Sequence, residues 1–204
     1  KAAKRHAMAT LRGLVGGQIA ARRQAGASTH DDLLAHLLAL RDEAGGQPLS
    51  EREVFDQCMV SFQAGHETTA TALTWWSALL LAHPAAAQRA QAEVDSVLQG
   101  ALPGPDDLAR LPWLQATLKE AMRLYPPTTA LLTRRCTAPV VLGGHTLPAR
   151  TLLRVTMWNL HRDPRWFDDP DSFRPARFLP DAPPPPRGTY MPFGLGPRVC
   201  IGQH

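Results

Sequence analysis

The closing residues FGLGPRVCIGQH (193–204) gather the groups best suited to chemistry. A cysteine that ligates a metal or attacks a substrate works as the thiolate, whose charge needs donors close by. Gly194, Gly196 and Gly202 flank Cys200 and permit positive φ and close backbone approach. N–H groups can then point at the sulfur, and a flat ligand can lie on the loop without meeting a Cβ. Arg198 adds a fixed cation for an anionic group of that ligand, and Phe193 an aromatic face to cover the sulfur. Together they describe one thiolate on the metal of a large planar cofactor, with haem the leading candidate. For a lone Cys–Gly pair the alternative is a buried structural cysteine in a glycine turn; the joint pattern weighs against it. Zinc shared by Cys200 and His204 lacks two further ligands nearby, and with no Cys-x-x-Cys-His the covalent attachment of haem is excluded.

Two upstream stretches add chemistry. In FQAGHETTA (62–70) Gly65 weakens a helix and leaves room beside it. The Thr68 hydroxyl can bond back to a carbonyl one turn earlier, bending the helix and opening space for a diatomic ligand. Glu67 and Thr68 form an acid–alcohol pair able to deliver protons. A polar cluster on a solvated helix face is the alternative, and His66 is read as no ligand. In KEAMRLYPP (119–127) Glu120 and Arg123 share a helical face at i, i+3 and can pair.

These residues need elements to hold them, and the first two-thirds of the chain reads mainly as helix. Helices are expected over 3–25 and 29–43, the latter opening on a Thr or Asp cap and ending at Gly45-Gly46. Ser50 with Glu53 is a capping box that opens a helix running to His83-Pro84, about 45 Å at 1.5 Å per residue. Further helices are expected at 84–99, with proline in the first turn, and at 113–124, stopped by Pro126-Pro127. Residues 138–156 carry β-branched runs broken by Gly-Gly and Pro-Ala, a short hairpin or small sheet. From 163 to 192 proline excludes regular helix and central strand.

Composition narrows the class. With 204 residues, 44% of them hydrophobic, the chain can build one sizeable core. The net charge is +4 with both signs interspersed, and no basic run carries interleaved aromatics, so nucleic-acid binding is not expected. Three cysteines, Cys58, Cys136 and Cys200, make a disulfide framework improbable and suit a reducing compartment. No secretory signal is visible. The apolar run at 72–82 is too short for a bilayer, so a soluble, cytoplasmic chain is expected.

FGLGPRVCIG resembles the cysteine-ligand loop of the cytochrome P-450 superfamily, the haem-thiolate monooxygenases: Phe-Gly-x-Gly-x-Arg-x-Cys-x-Gly, every fixed position present. The resemblance implies that Cys200 is the axial ligand of haem b, that Phe193, Gly194 and Gly196 shape its loop, that Arg198 meets a propionate, and that Gly202 starts a helix beneath the porphyrin. KEAMRLYPP resembles the family's Glu-x-x-Arg helix. FRPARF (173–178) resembles the meander segment in which Arg177 completes a structural network with Glu120 and Arg123; Ala176 departs from a commonly acidic position. FQAGHETTA resembles the oxygen-binding groove of the long distal helix, with Ala64 and Gly65 against the haem and Thr68 and Glu67 handling protons. Arg134 lies where the family often places a propionate-binding arginine, with Arg135 its neighbouring competitor. His161-Arg162-Asp163-Pro164 matches a frequent segment whose simplest role is capping and packing, and 128–133 occupies a substrate-contact stretch.

The resemblance implies a mainly α fold with a small β region, the cytochrome P-450 fold, read as a partial catalytic domain over 1–204. Within it lie the oxygen helix (about 53–82), the Glu-x-x-Arg helix (113–124), the β region (138–156), the meander (163–192) and the cysteine loop (193–204). The implied activity inserts one atom of dioxygen into a small apolar organic substrate. Its electrons come from a separate electron-transfer protein, a ferredoxin or flavoprotein reductase, in a soluble enzyme of bacterial type. Peroxygenases, isomerases or dehydratases on the same fold, and a non-catalytic haem-binding fragment, are the rivals; Glu67-Thr68 argues for the monooxygenase. Because the family's domain extends beyond both ends of 1–204, these residues alone are expected to bind haem poorly and not to turn over.

Overall fold

The computed structural model describes residues 2–25, 31–41, 45–130 and 132–203. It divides into two compact units, residues 1–67 and 68–204.

The first unit holds α1 (Ala2–Gln24), α2 (Leu33–Ala39) and the first half of α3 (Glu51–Ala82). Ile19, Leu37 and Val54 form its core, backed by Val15, Leu34, Phe55 and Cys58. Asp32 has two tasks: it accepts the Ala35 N–H at 2.9 Å as the α2 cap, and it takes both guanidinium nitrogens of Arg22 at 2.9 Å. Local capping and a long-range tie thus share one carboxylate. The helix expected over 29–43 is shorter. Leu40 has left helical geometry (φ −60, ψ 144), and Arg41 instead makes an isolated antiparallel bridge with Pro48; Thr29, His30 and 42–44 lie outside the described residues. The Ser50–Glu53 box forms: the Glu53 carboxylate accepts the Ser50 N–H at 2.8 Å, and the Ser50 hydroxyl accepts the Glu53 N–H at 3.3 Å.

The second unit is organised around α5 (Pro112–Leu124). Its buried residues, Trp113, Ala116, Thr117, Glu120, Ala121, Arg123 and Leu124, recur at three and four along one face. Pro112 occupies the first turn, where no N–H is needed. The exposed N–H groups of Trp113 and Leu114 are taken by Glu93 at 2.9 and 2.8 Å. Glu93 belongs to α4 (Pro84–Leu98), so one helix caps the next. Trp113 Nε1 donates to the Ala86 carbonyl at 3.1 Å, and Trp76 of α3 donates to the Thr117 hydroxyl at 2.9 Å.

The β structure is two ribbons. β1 (Leu132–Arg135) pairs antiparallel with β4 (Leu152–Val155). β2 (Val140–Leu142) pairs with β3 (His145–Leu147) through Gly143-Gly144. Both glycines have positive φ, +57 and +81, as a tight twisted hairpin turn requires. The β region therefore begins at Leu132, six residues before the expected 138. LTRR has no alternating apolar pattern and gains its strand character from its partner alone. A short helix, α6 (Met157–Leu160), leads into the proline-rich segment, which has only single-turn helices, at Pro175–Phe178 and later at Gly196–Arg198 and Ile201–Gln203. Among the described residues no helix is long and apolar enough to cross a membrane.

Candidate haem-thiolate site

The loop carrying Cys200 is set by its backbone. Gly194 and Gly196 both sit at φ +79, a region that costs an L-residue roughly 1–2 kcal/mol. The Gly194 N–H returns to the Met191 carbonyl at 2.9 Å, and the Cys200 N–H to the Phe193 carbonyl at 2.9 Å. Phe193 and Cys200 are thereby joined across the loop. Gly202 differs from the expectation: its φ is −87, which needs no glycine. A Cβ there would lie 3.8 Å from Cys200 Sγ, in ordinary contact, so Gly202, within the single turn Ile201–Gln203, leaves the sulfur more open. Cys200 is exposed. Arg198 is also exposed, with no partner among the described residues. His204, the other ligand of the zinc alternative, is outside the described residues.

The donor set fits a planar metal cofactor. Among the described residues no group of three His, Cys, Asp or Glu side chains could hold an ion. A metal on Cys200 would need its other ligands supplied with it, as a porphyrin supplies them, and Arg198 offers a cation two residues away.

The same unit holds a dense polar junction. Glu120 and Arg123 are fully buried and pair side-on, Nε to Oε2 at 2.7 Å and Nη2 to Oε1 at 2.8 Å. Arg123 then donates to the carbonyls of His161 (2.7 Å), Pro170 (2.6 Å) and Ser172 (3.1 Å). Glu120 Oε1 also accepts the Arg174 N–H at 2.8 Å and Arg177 Nε at 3.3 Å, while Arg177 Nη2 reaches the Asp169 carbonyl at 2.8 Å. Glu120, Arg123 and Arg177 are brought together, with the planar guanidinium groups donating in fixed directions to an otherwise irregular chain. Two buried charges survive here because nearly every lone pair and N–H is used.

From sequence alone His161 is a packing residue. In the structure it is fully buried. Its Nε2 accepts the Met191 N–H at 3.0 Å, and its ring lies 5.3 Å from that of Tyr190. Burial, reinforced by the Arg123 and Arg162 charges, pushes its pKa down to about 4, so it is neutral at physiological pH. With Nε2 accepting, the proton sits on Nδ1, which is buried and has no hydrogen-bond partner among the described residues. Burial likewise raises the Tyr190 phenol, whose hydroxyl donates to the Lys119 carbonyl at 3.0 Å. The His-Arg-Asp-Pro signal is legible in the sequence but not its partner, which is thirty residues away. Glu93 gives no signal at all.

The remaining predicted residues are Ala64, Gly65, Glu67, Thr68 and Arg134. Ala64, Gly65, Glu67 and Thr68 lie on exposed turns of α3, which is helical throughout. Glu67 closes the first unit and Thr68 opens the second. Gly65 has nothing within 4 Å of an added Cβ. Arg134 lies in β1 and donates to the Thr133 carbonyl at 3.0 Å. It and Arg135 occupy successive strand positions and so opposite ribbon faces, which allows at most one of them to meet a given group.

Comparison with known proteins places the chain. A family model described as Cytochrome P-450 matches residues 2–204. Cyclooctatin synthase of Streptomyces melanosporofaciens is 42% identical over 97% of this chain and 43% of its own length. Cyclooctat-9-en-7-ol 5-monooxygenase of the same organism is 41% identical over the same shares. Among solved structures, a retinoic-acid-bound cyanobacterial member superposes with a TM-score of 0.88 at 33% identity, covering 97% of this chain and 45% of that one. A zebra fish member solved with progesterone gives 0.81 at 34%, covering 96% and 46%. The chain spans less than half the length of these relatives. With the cysteine loop and the buried Glu–Arg–Arg junction in one unit, and the family model matching almost end to end, the chain belongs to the cytochrome P-450 family.

Proposed function

We propose that this chain carries the thiolate loop and part of the oxygen-side helix of a haem monooxygenase that inserts one atom of dioxygen into a small apolar organic substrate. The observation that carries the reading is the exposed Cys200 on a loop whose turns are glycine-built and whose ends are tied by the Cys200–Phe193 hydrogen bond. Cys200 would hold haem iron as the thiolate, and Arg198 would neutralise a propionate, with Arg134 a second cation for the other. When bound, the haem supplies reductive activation of dioxygen, with electrons from a separate electron-transfer protein.

The chain's own residues bind, orient and move protons. Gly65 leaves open space beside a helix where alanine would be about 1 kcal/mol more favourable, which fits Ala64 and Gly65 facing a flat group. Glu67 and Thr68 are an acid and an alcohol on successive positions of α3, and each would hold or give up a proton on the oxygen side of the haem. The name of one relative, Cyclooctat-9-en-7-ol 5-monooxygenase, supports the monooxygenase reading.

The test is the reduced, carbon-monoxide-bound spectrum with turnover. The intact protein should show a thiolate-type Soret band that Cys200→Ala abolishes, with little change in the melting temperature of the haem-free protein, since the side chain is exposed there. Thr68→Ala should keep the band but divert electrons to peroxide. A Cys200→Ala protein that keeps a thiolate-type band would refute the assignment.

A further inference from the structure

A groove of about 480 Å³ separates α5 from the cysteine loop, lined by Leu118, Met122, Phe193, Leu195 and Val199 among others. Beside that groove, hydrogen bonds hold the loop at its base. Two hydrogen bonds reach that base from side chain to backbone or back. Tyr190 donates to the Lys119 carbonyl at 3.0 Å, and His161 Nε2 accepts the Met191 N–H at 3.0 Å. The second continues in both directions. On one side the His161 carbonyl accepts Arg123 Nη1 at 2.7 Å. On the other, the Met191 carbonyl accepts the Gly194 N–H at 2.9 Å, and the Phe193 carbonyl accepts the Cys200 N–H at 2.9 Å. Through this chain of hydrogen bonds, His161 is the side chain that links the buried Glu120–Arg123 pair to the turn presenting Cys200.

We propose that His161 is a positioning residue for the Cys200 loop, holding Met191 by an imidazole acceptor so that the Phe193–Cys200 turn keeps its place relative to the Glu120–Arg123 junction. The role rests on the reading of Cys200 as the haem ligand, but it concerns the geometry of the loop, which is measurable without haem. A buried N–H that loses its acceptor is left unsatisfied, and the backbone moves to find water. Packing alone makes a different demand: an aromatic ring of similar size against Tyr190 would then serve as well.

The test compares His161→Gln, which can still present an oxygen to the Met191 N–H, with His161→Phe, which keeps an aromatic ring and has no acceptor. In the intact, haem-free protein, amide exchange at Met191 and Cys200 should quicken by about fivefold to tenfold in His161→Phe, the factor for losing one buried hydrogen bond, and by much less in His161→Gln. Amides within α5 should be unchanged in both, and Cys200 alkylation should follow the same order. In the haem-loaded protein the thiolate-type fraction of the carbon-monoxide spectrum should fall more in His161→Phe than in His161→Gln. The reverse order, or equal exchange in all three proteins, overturns the proposal. Nitrogen shifts of the wild-type imidazole provide a test free of folding defects: Nε2 unprotonated and Nδ1 protonated at neutral pH supports it, and the opposite tautomer overturns it. A wild type without any thiolate-type spectrum sinks the haem reading instead, so the two failures are read separately.

Discussion

The Glu120–Arg123–Arg177 junction and the Cys200 loop lie in the same unit, and short sequence motifs pick out both, yet their physical situations are opposite. At the junction, Glu120 and Arg123 are 0% exposed, and their polar atoms are used by one another and by backbone groups of the segment 161–174 or by Arg177. At the loop, Cys200 and Arg198 are exposed with their chemistry unspent. Residues that build architecture find their partners inside the chain. The residues proposed for chemistry are instead presented on exposed backbone. The cost is also differently located: desolvated charge at the junction, and in the loop the conformational freedom that Gly194 and Gly196 lose on folding to φ +79.

That contrast can be broken first at the junction. Glu120→Ala or Arg123→Ala strands a buried charge and should cost about 3–5 kcal/mol, read from denaturant midpoints in the intact protein. Arg177→Ala, which removes a partner at 3.3 Å that also serves the Asp169 carbonyl, should cost less. A loss below about 1 kcal/mol for Arg123→Ala would mean that the junction is solvated in solution.

Acid should come next. His161 is buried neutral with its pKa lowered to about 4 from 6.5, so the folded state binds fewer protons than the unfolded one as pH falls. Stability is therefore lost between about pH 6.5 and pH 4, by up to about 3 kcal/mol, with an uptake of nearly one proton on unfolding. Arg123 and Arg162 face the imidazole and oppose its protonation, while the Met122 and Arg123 backbone groups favour it. His161→Gln should flatten that part of the stability–pH curve; an unchanged slope would assign the effect to other groups.

The smallest effect separates two glycines of the loop. Gly196→Ala should cost about 1 kcal/mol, because its φ is +79 although a Cβ meets nothing within 4 Å. Gly202→Ala, at φ −87, should change the melting temperature little but crowd Cys200 Sγ and slow its alkylation. Equal losses at both positions would show that the conformational difference between them does not persist in solution.

The motifs and most of the helices are legible in the sequence because they depend on neighbours along the chain. A capping box, a proline in the first turn and an apolar face at three and four are all local. So α3, α4 and α5 fall within two residues of their expected limits. The β1 strand is not legible, since LTRR becomes a strand only by pairing with residues twenty positions later. The same holds for α2, whose expected length is cut at Leu40 where Arg41 turns to meet Pro48.

By itself the sequence singled out the candidate residues: a cysteine among glycines, a cation beside it, an acid–alcohol pair on a long helix and an i, i+3 ion pair. Tertiary structure alone decided how those residues are supported. The Glu93 carboxylate that caps α5, the backbone groups that satisfy Arg123 and the imidazole of His161 that takes the Met191 N–H all act across tens of residues. A side chain's hydrogen-bonding capacity is written in its chemistry, but its partner is fixed only when burial removes water as the competitor.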